Sequence, residues 1–273
     1  MSRRFRLLRV LCALAVLSSL PVAADAQTAR ADLARARSAY NERQFDDAIA
    51  AAATARLSPD TADPAAIVLA RAHLERYREG ADPTDLSTAR TVLGSIRTGM
   101  LDDRDEVELL LAIGEALFLE DDFGAAAEVF DSGLARARVY PMLIESMLEW
   151  WGSAIERRAS GAAPEARRQL YARLADRMHT ELGHTPSSPA ASYWMVVGLR
   201  GAGEVDRAWD AAVAGWVRAR LAGNRSATLR ADLNHLVVQG IIPDRVRHIA
   251  QDQRAAAESR LRADWELVKE RWK

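Results

Sequence analysis

The stretch that decides the fold runs Gly114-Glu115-Ala116-Leu117-Phe118-Leu119-Glu120-Asp121-Asp122-Phe123-Gly124-Ala125-Ala126-Ala127-Glu128-Val129-Phe130. Upstream of its acidic centre, Val107, Leu110, Leu111, Gly114, Leu117 and Phe118 recur three or four residues apart. Downstream, Phe123, Ala126, Ala127, Phe130 and Leu134 do the same. That spacing collects each set on one face of an α-helix, because side chains three and four apart stack along the helix axis. Two such helices joined by the short Asp121-Asp122 turn predict an αα-hairpin. Outward from it, from Thr28 to the C-terminus, no run of alternating apolar and polar residues suggests a strand. Ala, Leu, Arg and Glu dominate, and all are good helix formers. The chain reads as all-α.

Residue size in this hairpin carries a further pattern. Gly114 is small where two helices would approach, Phe123 opens the second helix, and Ala126, Phe130 and Gly133 follow in the order small, aromatic, small. This pattern resembles the tetratricopeptide repeat (TPR). It recurs in Ala36-x-x-Ala39, Phe45-x-x-Ala48 and Ala52-x-x-Ala55 followed by Pro59, and more loosely in Val196-x-x-Leu199, Gly203, Val205-x-x-Ala208 and Ala212-x-x-Gly215. The repeat-packing residues by this reading are Ala36, Phe45, Ala48, Gly114, Phe123, Ala126, Phe130 and Ala208. Taking Ala48, Ala89, Ala126, Ala166, Ala208 and Ala250 as equivalent positions gives intervals of 37 to 42 residues. The standard repeat has roughly 34, and Gly80-Ala81-Asp82-Pro83 and Ser160-Gly161-Ala162-Ala163-Pro164 lengthen two of the turns. The resemblance implies a TPR-like α-solenoid of five to six helical hairpins. Such an array buries each hairpin on its neighbours and offers a long concave surface to a protein or peptide.

The N-terminus reads as a secretory leader. Arg3, Arg4, Arg6 and Arg9 precede the apolar run Val10–Leu17, Pro21 breaks it, and Ala24-Asp25-Ala26 supplies small residues for cleavage before Gln27. The apolar run falls short of the roughly 20 residues a membrane-spanning helix needs. Cleavage would remove Cys12, the sole cysteine, and with it any disulfide or thiolate chemistry. The expected divisions are a signal peptide at 1–26, N-terminal hairpins at 27–140, Trp-rich C-terminal hairpins at 141–243 and a C-terminal helix at 244–273. All seven Trp fall after residue 149. The stripe Val246, Ala250, Gln253, Ala257, Leu261, Trp265, Val268 and Trp272 suggests a long capping helix over the last repeat, or a docking helix for a partner.

Composition narrows the function classes. With 37 basic against 38 acidic residues the formal net charge is -1, which lacks the basic excess a nucleic-acid binder uses to displace counterions. His179 and His184 lie five apart with Gly183 between, unlike the four-residue spacing of a helical zinc pair. Gly198, Gly201 and Gly203 lack the preceding strand of a phosphate-binding loop and read as a turn between helices. Glu145-Ser146 resembles the catalytic pair of lytic transglycosylases, but Trp151-Gly152-Ser153-Ala154 stands where that family continues with Gly-Leu-Met-Gln. No catalytic, cofactor or metal residues are assigned. The expected function is an exported, non-catalytic scaffold for protein–protein interaction in the cell envelope, periplasmic or secreted. Self-association is a further expectation, with no nucleic acid and no transmembrane segment after cleavage. The alternative is a peptidoglycan- or glycan-binding or glycan-cleaving envelope protein that stacks sugars on Trp150 and Trp151.

Overall fold

The computed structural model describes the backbone of residues 20–273 and side chains from residue 25 onward. The basic and apolar runs of the expected leader lie outside these residues. Among the described residues the protein is entirely helical, without strands, and no helix is long and apolar enough to cross a membrane. The chain divides into two compact units, one ending at Glu120 and one spanning Asp121–Lys273.

The first unit contains α1 (Leu20–Asn41), α2 (Phe45–Ala55), α3 (Ala62–Gly80), α4 (Pro83–Leu93) and α5 (Asp103–Leu119). Local sequence sets the boundaries. Arg43 takes a positive φ of 61° in the turn after α1. Asp82 caps α4 by accepting the Thr84 N–H, with Pro83 in the first turn, and Asp102 caps α5 by accepting the Asp105 N–H. A short oxygen-bearing side chain there satisfies a helix N–H that has no partner within the helix. Consecutive helices α1 to α4 pack on one another, and α3 also packs against α1 and α5. The core is built largely of alanine: Ala36, Ala52, Ala55, Ala65 and Ala70 have no exposure, and Leu33, Val68, Leu69 and Leu74 surround them.

The second unit contains α6 (Phe123–Ala137), α7 (Pro141–Ser160), α8 (Pro164–His184), α9 (Pro189–Gly201), α10 (Val205–Arg218), α11 (Ser226–Leu236), the short α12 (Ile242–Val246) and α13 (Gln251–Arg271). Asp121 has φ of 61°, and Asp122 caps α6 by accepting the Ala125 N–H at 3.2 Å. The acidic turn read from sequence is therefore present, and the division between the units falls within it. Pro141, Pro164 and Pro189 each stand in the first turn of a helix, where no N–H is needed. Each of α6 to α10 packs on the next, and α9 also packs against α7 and α11.

The expected repeat positions separate into two groups. Ala36, Ala48, Ala89, Ala126, Phe130 and Ala208 have no exposure, and Phe45 is 6% exposed. Gly114 is also buried and Phe123 half-buried. Ala166 and Ala250, by contrast, are exposed. The first turns of α8 stand clear of the core, and Leu174, Ala175 and Met178 carry its packing. Ala250 lies in the turn before α13 rather than in a helix. The C-terminal stripe is likewise interrupted, because residues 247–250 break the chain between α12 and α13. Beyond this break Trp265 is fully buried, edge-on to Trp209 and Trp216 at 5.9 and 5.5 Å, and its Nε1–H donates to Asn234 Oδ1 at 3.0 Å.

Glycines of the expected 198–203 turn have two different roles. Gly203 has φ of 87° and is the turn. Gly198 and Gly201 lie within α9 and let it approach α8: a Cβ on Gly198 would lie 2.7 Å from the Ala175 backbone nitrogen, and one on Gly201 would lie 2.3 Å from the Tyr171 ring. Gly152 on α7 makes room for Trp194 in the same way, at 2.3 Å. A Gly198→Ala substitution must push backbone away from backbone and is expected to cost about 1–3 kcal/mol. Gly183, in the last turn of α8, meets nothing within 4 Å. Gly183→Ala should therefore stabilise by roughly 0.5–1 kcal/mol through helix propensity. Urea unfolding of the two variants should shift in opposite directions; destabilisation by both would refute the close-approach assignment.

Candidate functional site

The surfaces that helical pairs present through their first helices are the natural place to seek a site, and the two units differ there. In the first unit, charged side chains run from α1 through α3 to α5. Arg71 Nε and Nη2 donate to the two oxygens of Glu115 at 3.2 and 3.1 Å, and these side chains are 12% and 2% exposed. The Arg71 guanidinium also lies 4.8 Å over the Tyr40 ring, and Arg37 pairs with the buried Asp105. Burial opposes the Arg71 charge, yet the Glu115 carboxylate and Tyr40 outweigh it and hold Arg71 above the ordinary guanidinium range. Burial pushes the Tyr40 phenol up. Arg71 and Glu115 satisfy one another beside the Tyr40 ring, and together with the Arg37–Asp105 pair they tie three helices together as a clamp rather than a ligand site.

Removing one partner of such a pair strands the other charge in the interior. Glu115→Ala is expected to lower unfolding free energy by about 3–5 kcal/mol, whereas the double variant Arg71→Met/Glu115→Leu should cost far less. Chemical denaturation of the two proteins decides the point, and equal losses would show that the clamp has no electrostatic component.

The second unit has a cavity of about 230 Å³ lined by residues of α7, α9 and α11, including Glu149, Tyr193, Arg225, Leu229 and Asp232. Arg225, in the turn before α11, donates to Glu149 Oε1 at 2.8 Å and lies 3.6 Å from Glu145 Oε2. The other Glu149 oxygen accepts the Trp194 Nε1–H at 2.9 Å. Glu145 accepts the Ala190 N–H at 3.2 Å, and Ser188, whose Oγ caps α9 at Ala191, also hydrogen-bonds to it. The Glu145 carboxylate thus meets the positive end of α9. Its notable environment was concealed in the sequence, where only the Glu-Ser dipeptide was visible; the partners Ala190 and Arg225 lie 45 and 80 residues away.

Burial raises the proton affinity of Glu145, against the opposing pull of Ser188, the Ala190 N–H and Arg225. A carboxyl with a raised folded-state value stabilises the fold below its ordinary value of 4.5 and loses that contribution as pH rises through the folded value. The unfolding free energy of the wild type relative to Glu145→Gln should therefore fall as pH rises above 4.5 and through the folded-state value. Identical pH dependence of the two proteins would show that Glu145 is not perturbed.

Trp150 and Trp151 do not present a pair of neighbouring exposed rings. Trp151 is fully buried, with Arg173 and Arg177 of α8 at 5.8 and 5.9 Å from its ring. Trp150 is half-buried and stacks on Phe130 at 6.4 Å. His179 and His184 both lie in α8 and are exposed, and among the described residues no three His, Cys, Asp or Glu side chains are grouped to hold a metal. No protein-family model, curated protein or solved structure matches the chain.

Proposed function

We propose that the protein is a non-catalytic, TPR-like helical-repeat scaffold of the cell envelope that binds an extended protein segment along the first helices of its pairs. One observation carries this reading. In each unit a helix packs not only on its sequence neighbours but also on the helices two places before and after it, α3 on α1 and α5, and α9 on α7 and α11. Stacking of this kind makes a continuous face from alternate helices, the arrangement by which repeat arrays present ligand surfaces. The leader-like order of charge, apolar run and Ala24-Asp25-Ala26 supports export. The glycan reading needs exposed neighbouring rings, and Trp151 has no exposed surface.

The test is capture of the tagged protein from mildly cross-linked envelopes, with mass spectrometry to identify what accompanies it. Tyr193→Ala serves as the comparison, because Tyr193 lines the cavity on the α7–α9–α11 side. A near-stoichiometric partner that is depleted on the variant supports the scaffold. Recovery of the bait alone, or recovery of the tagged protein only from the cytoplasm, overturns the reading.

A further inference from the structure

The cavity between α7, α9 and α11 is chemically lopsided. Pro189 and the buried Leu229 form an apolar shelf, and Thr228 stands beside them. Glu149, Asp232 and Arg225 line the cavity with this shelf, and Glu145 stands behind Arg225. Arg225 is committed to Glu145 and Glu149. Asp232 is exposed at the wall and enters no ion pair among the described residues.

Tyr193 registers the resulting field. Its phenol is raised first by burial and then by Glu156, Asp232 and Glu149, carboxylates on α7 and α11 that act together at one hydroxyl; Arg200 opposes them. The Tyr193 ring lies edge-on to Trp194 at 5.2 Å and lines the cavity, so an aromatic surface adjoins the negative one. Such a surface attracts an organic cation, and the apolar shelf suits the methylene stem that carries it. An anion would meet the uncompensated Asp232 carboxylate, and a neutral ligand would leave it unmatched.

We infer that this cavity binds one cationic side chain, lysine or arginine, of a polypeptide lying on the second unit. The inference deepens the scaffold reading and rests on it. The Arg225 guanidinium already shows the local chemistry, bridging two carboxylates beside the same wall. The incoming cation takes Asp232 and the Tyr193 ring, which the internal arginine leaves open.

The test is a ¹⁵N NMR titration of the purified protein with N-acetyl-arginine amide and N-acetyl-lysine amide, with the neutral N-acetyl-citrulline amide and N-acetyl-norleucine amide as comparisons. The Trp194 indole N–H and the Tyr193 backbone amide are the reporters. Ligands this small are expected to bind with Kd on the order of 1–10 mM. Either cation should bind at least about tenfold more tightly than its neutral counterpart, weaken about tenfold in Asp232→Asn, and weaken further in high salt. The relative response to the two cations identifies the preferred side chain. Asp232 is exposed, so an unchanged unfolding midpoint confirms that the variant is folded. Equal binding of citrulline and arginine amides, no saturable shift with either cation, or an Asp232→Asn variant that binds normally overturns the inference. A captured partner retained in full by Asp232→Asn also counts against the cavity and leaves the scaffold reading intact; cation binding without any captured partner counts against the scaffold reading alone.

Discussion

The structure depends on how closely its helices approach. α9 lies against α8 at Gly198 and Gly201, and α7 gives way to Trp194 at Gly152. The first unit achieves the same closeness with alanines that have no exposure at all. When backbones meet at this distance, packing density is supplied by main chain and methyl groups, and a single added carbon must displace something rigid. This constraint sets the composition of the helical faces and the direction in which larger side chains project.

Close approach has an energetic consequence. A buried alanine removes little apolar surface from water compared with leucine or phenylalanine, so a unit built on alanine gains less per residue from burial. Arginine fills part of the remaining space in both units. Arg71 covers Tyr40 while it binds Glu115 in two places. Arg173 and Arg177 of α8 flank Trp151 and also pair with Asp131 of α6. Arg230 and Arg245 stand over Trp216 and Trp209. A planar guanidinium can stack on a ring and donate from its edge at the same time, which an ammonium cannot do. Lys is present only as Lys269 and Lys273, and the packing gives the arginines physical work that lysines would not do.

The helices were legible in the sequence because their signals are local. Three-and-four spacing marked α5 and α6, and Asp121-Asp122 marked the turn that Asp121 makes with positive φ. Counting alanines at a fixed period failed at Ala166 and Ala250, since in a chain so rich in alanine a small residue does not reveal whether a neighbour lies against it. Gly198 and Gly201 were misread as a turn for a related reason: glycine serves both for positive φ and for close contact, and only the opposing Tyr171 and Ala175 distinguish them. The cavity was illegible. Glu145, Glu149, Tyr193, Arg225 and Asp232 span three helices and a turn, and no pairing among them has a fixed spacing that sequence alone would mark.

The contrast between the two charged surfaces carries functional meaning. With 37 basic and 38 acidic residues, composition supplies nearly enough arginine to partner every carboxylate. In the first unit that matching is realised at Arg37–Asp105 and Arg71–Glu115, where charges are buried and an unpaired one would be costly. Around the α7–α9–α11 cavity it is left incomplete, at a wall open enough for water to solvate Asp232 while the site is empty. Incomplete pairing is tolerable only where solvent reaches, and it becomes unfavourable when a bound chain excludes that solvent. A ligand that covers this wall must therefore bring positive charge with it, which makes the same local imbalance a source of selectivity against neutral and acidic segments.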